Sequence, residues 1–71
     1  MDQQSPQIAL IALPEVQSIA GISKTEVFRR IARGAFPEPA RLGTRCTRWS
    51  RSEVEGWVSD RLAERARKQA A

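Results

Sequence analysis

The side chains that could do chemistry in this sequence are mostly cationic. The chain has 12 lysines and arginines, no histidine, no tyrosine and a single cysteine, Cys46. Without histidine, and with one thiol, the usual general bases, nucleophile pairs and zinc ligand sets cannot be assembled. Its carboxylates lie at helix starts or among arginines, where capping and ion pairing account for them. We therefore expect no enzyme activity, no bound metal and no cofactor.

Positive charge is concentrated in the middle of the chain. Residues 23–51 hold eight basic residues against two acidic ones, a net charge of +6, whereas the whole chain carries +4. Arginine dominates this segment, and its planar guanidinium suits phosphates and guanine edges. For a single helix, a solvated basic face would be the ordinary interpretation. Charge spread over two neighbouring elements favours a polyanion as the partner instead.

Two short helices must position the first part of this basic segment. Pro14 is typical of the first helical position, and Gly21 ends that helix after about two turns by allowing a left-handed C-cap. Ser23 and Glu26 form a capping box, in which each side chain bonds the other residue's backbone N–H. The second helix is predicted over residues 24–33. Two short helices joined by a glycine-containing turn indicate a helix-turn-helix.

A β-hairpin is predicted to follow the second helix. Residues 41–42 and 47–49 have the composition of two short strands, separated by a turn at Gly43 and Thr44. Trp49 is expected to fold into the core, with the arginines of the hairpin pointing outward. Cys46 in such a place is ordinarily a buried or neutral small residue, and a redox role would require an exposed thiol of low pKa.

A second capping box, at residues 50–53, begins the longest predicted helix. Its apolar stripe has helical spacing and consists of Val54, Trp57, Val58 and Leu62. We expect one folded domain over residues 8–62, between a disordered tail (1–7) and a fraying basic helical tail (63–71). The apolar stretch at residues 8–13 is expected to lie extended against the core. It is far shorter than the roughly 20 residues of a membrane span. A chain with no disulfide framework fits the cytoplasm.

Four sequence strings in this order resemble a known family. They are LPEV (13–16), GIS (21–23), IARGAFP (31–37), and Trp49 followed by SEVE (52–55). Across residues 13–58 the chain is similar to AlpA-type DNA-binding proteins of phages and mobile elements, which belong with phage excisionases in the MerR-like winged-helix group. The resemblance implies a mainly α fold with a small β-hairpin: a winged helix-turn-helix of three helices and a two-stranded wing.

The resemblance also implies a function in sequence-specific binding of double-stranded DNA. The second helix would enter the major groove and the wing an adjacent minor groove. Members act as transcriptional regulators or as excisionases, that is, recombination directionality factors, so a tyrosine integrase, RNA polymerase and cooperative self-association on DNA are the implied partners. The alternative is a small protein-interaction module that uses the Trp57 and Leu62 stripe. RNA binding is disfavoured because exposed strands lack aromatic stacking residues.

Ten residues of the second helix and the hairpin are the candidate DNA contacts: Ser23, Lys24, Thr25, Phe28, Arg29, Arg30, Arg33, Arg41, Arg45 and Arg48. Arg29 is the preferred base contact, because recognition helices read bases mainly from their N-terminal part. Arg33 fits a backbone phosphate better, and Arg45 is expected near the minor groove. For Ser23, helix capping is at least as good an explanation, and Thr44 fits a solvated hairpin tip.

Three of these positions depart from the family pattern. Phe28 stands where an aromatic residue with a hydroxyl group is frequent, so its contact must be apolar, for instance with a thymine methyl. Arg30 replaces an aliphatic residue and could bind phosphate or pair with Glu26 at i, i+4. Arg48 replaces a small residue before the tryptophan. Trp49 and Trp57 are assigned to the core rather than to base stacking.

Overall fold

Three helices and three short strands make up the part of the chain that the structure describes. The structure is a computed structural model that describes the backbone of residues 9–70 and the side chains of residues 9–68. Its elements are β1 (Leu10–Ile11), α1 (Leu13–Ala20), α2 (Lys24–Ala32), β2 (Ala40–Gly43), β3 (Cys46–Ser50) and α3 (Arg51–Ala70). The tail predicted for residues 1–7 lies outside the described residues. Helix α3 continues to Ala70, and fraying of its end stays a prediction.

Helix α1 begins one residue earlier than the sequence predicted. Leu13, not Pro14, is its first residue. The proline is tolerated one position later because N–H groups throughout the first turn lack an intrahelical acceptor. Glu15 accepts a hydrogen bond from the Ala12 backbone N–H at 3.1 Å. Gly21 ends the helix in the left-handed region, at φ 71°, which confirms the predicted C-cap.

Helix α2 is capped at its start by one half of the predicted capping box. Ser23 Oγ accepts a hydrogen bond from the Glu26 N–H at 3.2 Å, as predicted. The reciprocal bond was predicted wrongly. The Glu26 carboxylate instead contacts Arg29 at 3.0 Å and Arg30 at 3.4 Å. Two guanidinium groups offer this carboxylate charge-assisted hydrogen bonds, which are stronger than the bond it would accept from a neutral N–H.

The β-sheet has three strands rather than the two predicted for the wing. Strand β3 lies in the middle, with β1 and β2 on either side and both antiparallel to it. Ile11 of β1 pairs with Trp49, and the Arg51 N–H donates to Ala9 O at 2.8 Å just beyond the strand. The chain before α1 was expected to lie extended against the core. The strand therefore gives β3 a second hydrogen-bonded neighbour.

The hairpin turn lies one residue later than predicted. Gly43 is the last residue of β2 and pairs with Cys46, so the turn consists of Thr44 and Arg45. An irregularity in β2 between Arg41 and Gly43 shifts the register. A bulge of this kind places one extra residue in a strand, and the propensities of the turn residues alone do not reveal it. As a result, Arg45 is at the tip of the hairpin.

A small apolar core joins all of these elements except β2. Its buried members are Ile11, Val16, Val27, Phe36, Trp49 and Val54. Trp49 is 1% exposed, which confirms its prediction as a core residue. Leu62, the last residue of the predicted apolar stripe of α3, is 51% exposed. The helix extends past the domain at that point, and all side chains of residues 59–68 are exposed.

Trp57 attaches the loop after α2 to helix α3. Its indole N–H donates to the Ala35 carbonyl oxygen at 2.8 Å, and its ring meets Phe36 edge to face at a centroid distance of 4.9 Å. The Arg30 and Arg61 guanidinium carbons lie 5.8 and 5.2 Å from the Trp57 ring centroid. This half-buried tryptophan thus holds α2, the loop and α3 together, in agreement with its assignment to the core.

Gly56 weakens α3 without an evident packing reason. A Cβ added there would meet nothing within 4 Å, and glycine inside a helix costs roughly 0.5–1 kcal/mol relative to alanine. We expect Gly56→Ala to raise the free energy of unfolding by about that amount, measured by urea denaturation with unchanged m-value. Gly21→Ala is the control and should destabilise, because its φ is positive. At a chain concentration low enough to keep the protein monomeric, no stabilisation by Gly56→Ala would contradict the open space seen beside Gly56.

No helix within residues 9–70 is both long and apolar enough to cross a membrane.

Candidate nucleic-acid interface

A groove between α2 and the β2–β3 hairpin brings four of the candidate residues together. Lys24 and Phe28 form its wall on the helix side, and Arg45 and Arg48 form the wall on the hairpin side. Residues 12–14, at the start of α1, close one end. Among the residues that line this groove there are three cations and no carboxylate. The groove is therefore a positively charged concavity, the electrostatic form that attracts polyanions.

The helix wall presents an aromatic side chain beside a lysine. Lys24 and Phe28 are one turn apart on α2, so they share a face of the helix. Phe28 is 41% exposed, and its ring meets Trp49 edge to face at a centroid distance of 6.1 Å. Trp49 is fixed in the core, so it holds the inner edge of Phe28 while the outer edge stays accessible. The arrangement offers an apolar contact within a basic surface.

The remaining exposed face of α2 carries the predicted base contacts. Thr25 and Arg29 are one turn apart and exposed, and Arg33 is exposed at the end of the helix. The Arg29 side chain pairs with Glu26 at 3.0 Å, yet it is 58% exposed. An exposed pair of this kind is worth about 0.3–0.5 kcal/mol. Arg29 can therefore exchange Glu26 for a stronger acceptor at little cost.

Arg30 packs between helices and does not line the groove. Its Nη2 lies 3.4 Å from Glu26 Oε1, which is the i, i+4 ion pair considered in the sequence analysis. Its guanidinium lies over the Trp57 ring. Its Nε is buried and has no hydrogen-bond partner among the described residues. Of the two interpretations left open for Arg30, the structure shows the ion pair. The cation also supports the contact of α2 with α3.

The hairpin arginines occupy three different positions. Arg45 is exposed in the turn, and Arg41 is exposed on β2, opposite Thr47. Arg48 is half-buried, and its Nη1 donates to the Thr47 carbonyl oxygen at 2.9 Å. Arg48 is therefore held along the strand, whereas Arg45 has the greatest reach. The hairpin tip and the start of α2 face the same groove.

Sequence reasoning did not anticipate the end wall of the groove. Ala12, Leu13 and Pro14 line it together with Thr47. Their position depends on the pairing of β1 with β3, which joins segments almost 40 residues apart in the chain (Ile11 with Trp49). The apolar stretch before α1 was a signal that this segment packs on the core, but it carried no information about which strand it would join.

Comparison with known proteins identifies the family. The family model described as prophage CP4-57 regulatory protein (AlpA) matches residues 9–62, which is most of the chain and includes both walls of the groove. The chain belongs to the AlpA family. It is also similar to an uncharacterised protein, ORF88, of Enterobacteria phage P4, with 34% identity over 61 residues, covering 86% of this chain and 69% of the relative. No solved structure matches it.

Membership of the AlpA family agrees with the resemblance seen in the sequence. The matched region starts beside β1 and ends at Leu62 of α3, so it includes the three strands and the three helix starts. An AlpA-family protein is described as a prophage regulatory protein. The exposed distal part of α3 lies beyond the matched region. Within residues 9–68, no group of three or more acidic or cysteine side chains is placed to hold a metal ion.

Proposed function

We propose that this AlpA-family protein binds double-stranded DNA sequence-specifically as a non-enzymatic regulator in the cytoplasm. The observation that carries the proposal is the groove in which Lys24, Phe28, Arg45 and Arg48 converge from two elements. A single basic helix would be explained by solvation alone. Two basic walls that face one concavity, without a lining carboxylate, are better explained by a partner that is itself a negatively charged ridge, such as a DNA backbone.

Helix α2 serves as the recognition helix of a winged helix-turn-helix in this proposal. It follows α1 after a short turn, its N-terminus is capped, and its exposed face carries Thr25, Arg29 and Arg33. With the N-terminal part of α2 in the major groove, Arg29 contacts a base edge, and Phe28 contacts a thymine methyl. Ser23 and Lys24 at the helix start contact a phosphate, since N–H groups and the helix dipole favour an anion there.

The β2–β3 hairpin serves as the wing. Arg45 at the tip enters the adjacent minor groove, where a narrow A·T-rich segment concentrates negative potential. Arg41 and Arg48 contact the phosphates on either side. The strand register supports this division, because Arg45 is in the turn while Arg48 is held against the sheet by the Thr47 carbonyl oxygen. The two elements together would span one major groove and its neighbouring minor groove.

Two regulatory roles use this same surface. As a transcriptional regulator the protein would occupy a promoter, with RNA polymerase as a neighbour. As an excisionase it would bind several adjacent sites cooperatively and act with a tyrosine integrase. A family described as prophage regulatory proteins supports both roles. A ladder of successive shifts on attachment-site DNA would favour the excisionase role, and a single shift on promoter DNA the transcriptional role.

A gel-shift titration at two salt concentrations tests the proposal. The probes are the DNA upstream of the gene, a neighbouring attachment site, and a scrambled duplex. We expect specific shifts. The logarithm of the association constant should fall linearly with the logarithm of the salt concentration, with a slope of about −0.9 for each phosphate contact. Arg29→Ala and Arg45→Ala should each weaken the specific complex roughly tenfold or more. Arg33→Ala should instead reduce the salt slope by about one and weaken all duplexes alike.

If no specific shift occurs at low salt, or if the shifts are indifferent to both Arg29→Ala and Arg45→Ala, this surface does not read DNA. A partner bound with little dependence on salt would indicate the protein-interaction module instead.

A further inference from the structure

A second concave surface lies between the loop after α2 and the first half of α3. Phe36 and Trp57 line it together with three carboxylates, those of Glu38, Glu53 and Asp60, and one cation, Arg61. It shares no lining residue with the basic groove. Within residues 9–68, neither Glu53 nor Asp60 has an ion-pair partner. This acidic cleft therefore has the opposite charge to the proposed DNA surface and needs a cationic, partly apolar occupant.

Helix α3 itself carries such a cationic segment beyond the domain. Residues 51–60 contain three acidic residues and one basic residue, whereas residues 61–68 contain one acidic and four basic residues. The side chains of residues 59–68 are all exposed, and among them only Arg61 lies over an aromatic ring of the described domain, that of Trp57. Two such helices laid antiparallel would place each acidic half against a basic half.

Gly56 provides an independent indication of a close neighbour. It lines the acidic cleft on the face of α3 next to Trp57, and a Cβ there would touch nothing among the described residues. A glycine inside a helix weakens it, and no contact within one copy accounts for this glycine. Close approach of another backbone does account for it, because the absence of a side chain lets two helices come nearer.

We infer that two copies of this chain pair antiparallel along α3, about a two-fold axis between Asp60 and Arg61. In this register Glu53 lies opposite Lys68 of the second copy, and Asp60 lies opposite Arg61 of the second copy. Glu53, Trp57, Asp60, Glu64 and Lys68 recur every three or four residues, so they form one continuous face of the helix. The two-fold axis repeats each pair, as in any isologous interface.

Arg61 can take part without losing its partner within the chain. It already donates to Glu64, with Nε at 3.2 Å and Nη2 at 2.8 Å from the carboxylate oxygens, and it lies over the Trp57 ring. A guanidinium has five N–H donors, which leaves several for Asp60 of the second copy. Glu53 and Lys68 have no ion-pair partner among residues 9–68. They are therefore the pair best suited to a test.

Sedimentation velocity of the full chain without DNA tests the inference. We expect a dimer at about 0.1 M salt that dissociates at about 1 M, where the Debye length falls from about 10 Å to about 3 Å. Glu53→Lys should raise the dimer dissociation constant about tenfold, because the two-fold axis counts the lost pair twice. Glu53→Lys with Lys68→Glu should restore it. Gly56→Gln should prevent pairing while the monomer stays folded by circular dichroism.

Glu55→Lys is the matched control, since it makes the same charge change on the opposite side of α3. It should leave the dimer dissociation constant nearly unchanged. A chain that stays monomeric at low salt, an equal effect of Glu55→Lys, or a failure of the double variant to restore pairing would each overturn the inference. The inference does not rest on DNA binding. A variant that no longer pairs should bind a single DNA site with the same affinity per protomer. A variant that no longer binds DNA should still form the dimer.

Discussion

Trp49→Ala is expected to remove roughly half of the free energy of unfolding of this protein. Trp49 is 1% exposed and lies on the central strand of the sheet, where it pairs with Ile11 and supports Phe28. Replacing a buried tryptophan by alanine costs about 3–5 kcal/mol, because the transfer free energy of the removed atoms is lost and the remaining cavity adds a further cost. A domain of this size has a total stability of roughly 4–10 kcal/mol. One side chain thus accounts for a large share of it.

Urea denaturation followed by circular dichroism measures this effect, with Trp49→Phe as the control. Phenylalanine keeps a six-membered aromatic ring and lacks the indole N–H, which is buried without a hydrogen-bond partner among the described residues. An unpaired buried donor costs about 1–3 kcal/mol, so its removal offsets part of the lost packing. We expect Trp49→Phe to stay folded. If both substitutions lower the free energy of unfolding equally, the N–H has an essential partner. A decrease below about 1 kcal/mol for Trp49→Ala would contradict the place of Trp49 in the core.

Reversing the charge on both walls of the groove should abolish specific DNA binding. Lys24→Glu with Arg45→Glu removes one cation from α2 and one from the hairpin, and it places two carboxylates inside the groove. Each lost contact is worth about 1–3 kcal/mol. The specific affinity should therefore fall at least about 30-fold, before the added repulsion is counted. Fluorescence anisotropy with a single-site duplex measures the loss.

Arg65→Glu with Arg67→Glu is the control for net charge. It makes the same change in total charge, on exposed side chains of α3 beyond the region that matches the AlpA family. We expect a decrease of only a few fold, through long-range electrostatics that salt screens. If the control weakens binding as much as the groove variant, net charge rather than the groove determines affinity. The proposed surface would then be wrong.

Local signals in the sequence predicted most of the elements of this fold. The Gly21 C-cap, the Ser23 N-cap and the burial of Trp49 are each confirmed, because one residue and its near neighbours determine them. The hairpin was predicted from its strand composition, although its turn lies one residue later. Such features depend on backbone preferences that act within a few positions.

The features that sequence reasoning missed depend on distant or competing contacts. The pairing of β1 with β3 joins Ile11 to Trp49 across the chain, and no short pattern encodes that choice. Glu26 had three possible partners, and the two arginines prevailed over the Ser23 N–H. Leu62 continued the apolar spacing of α3, yet the helix leaves the domain there. Periodicity shows which residues share a face, but it does not show where the neighbouring element ends.

The candidate site was predictable as a set of residues but not as an arrangement. Charge and spacing identified the ten candidate contacts, and four of them line one groove. Arg30 could not be assigned from sequence, because its position over Trp57 depends on the packing of α2 against α3. The acidic cleft on α3 was also missed, since its lining combines residues from the loop after α2 and from the helix.

Methylation protection by dimethyl sulfate tests the central claim, that α2 and the hairpin read two adjacent grooves, most directly. The reagent methylates guanine N7 in the major groove and adenine N3 in the minor groove, so one experiment reports both. The wild-type protein should protect guanines at the site and adenines beside them. Arg29→Ala should restore guanine methylation alone, and Arg45→Ala adenine methylation alone. Protection confined to one groove, or lost equally in both variants, would contradict the account.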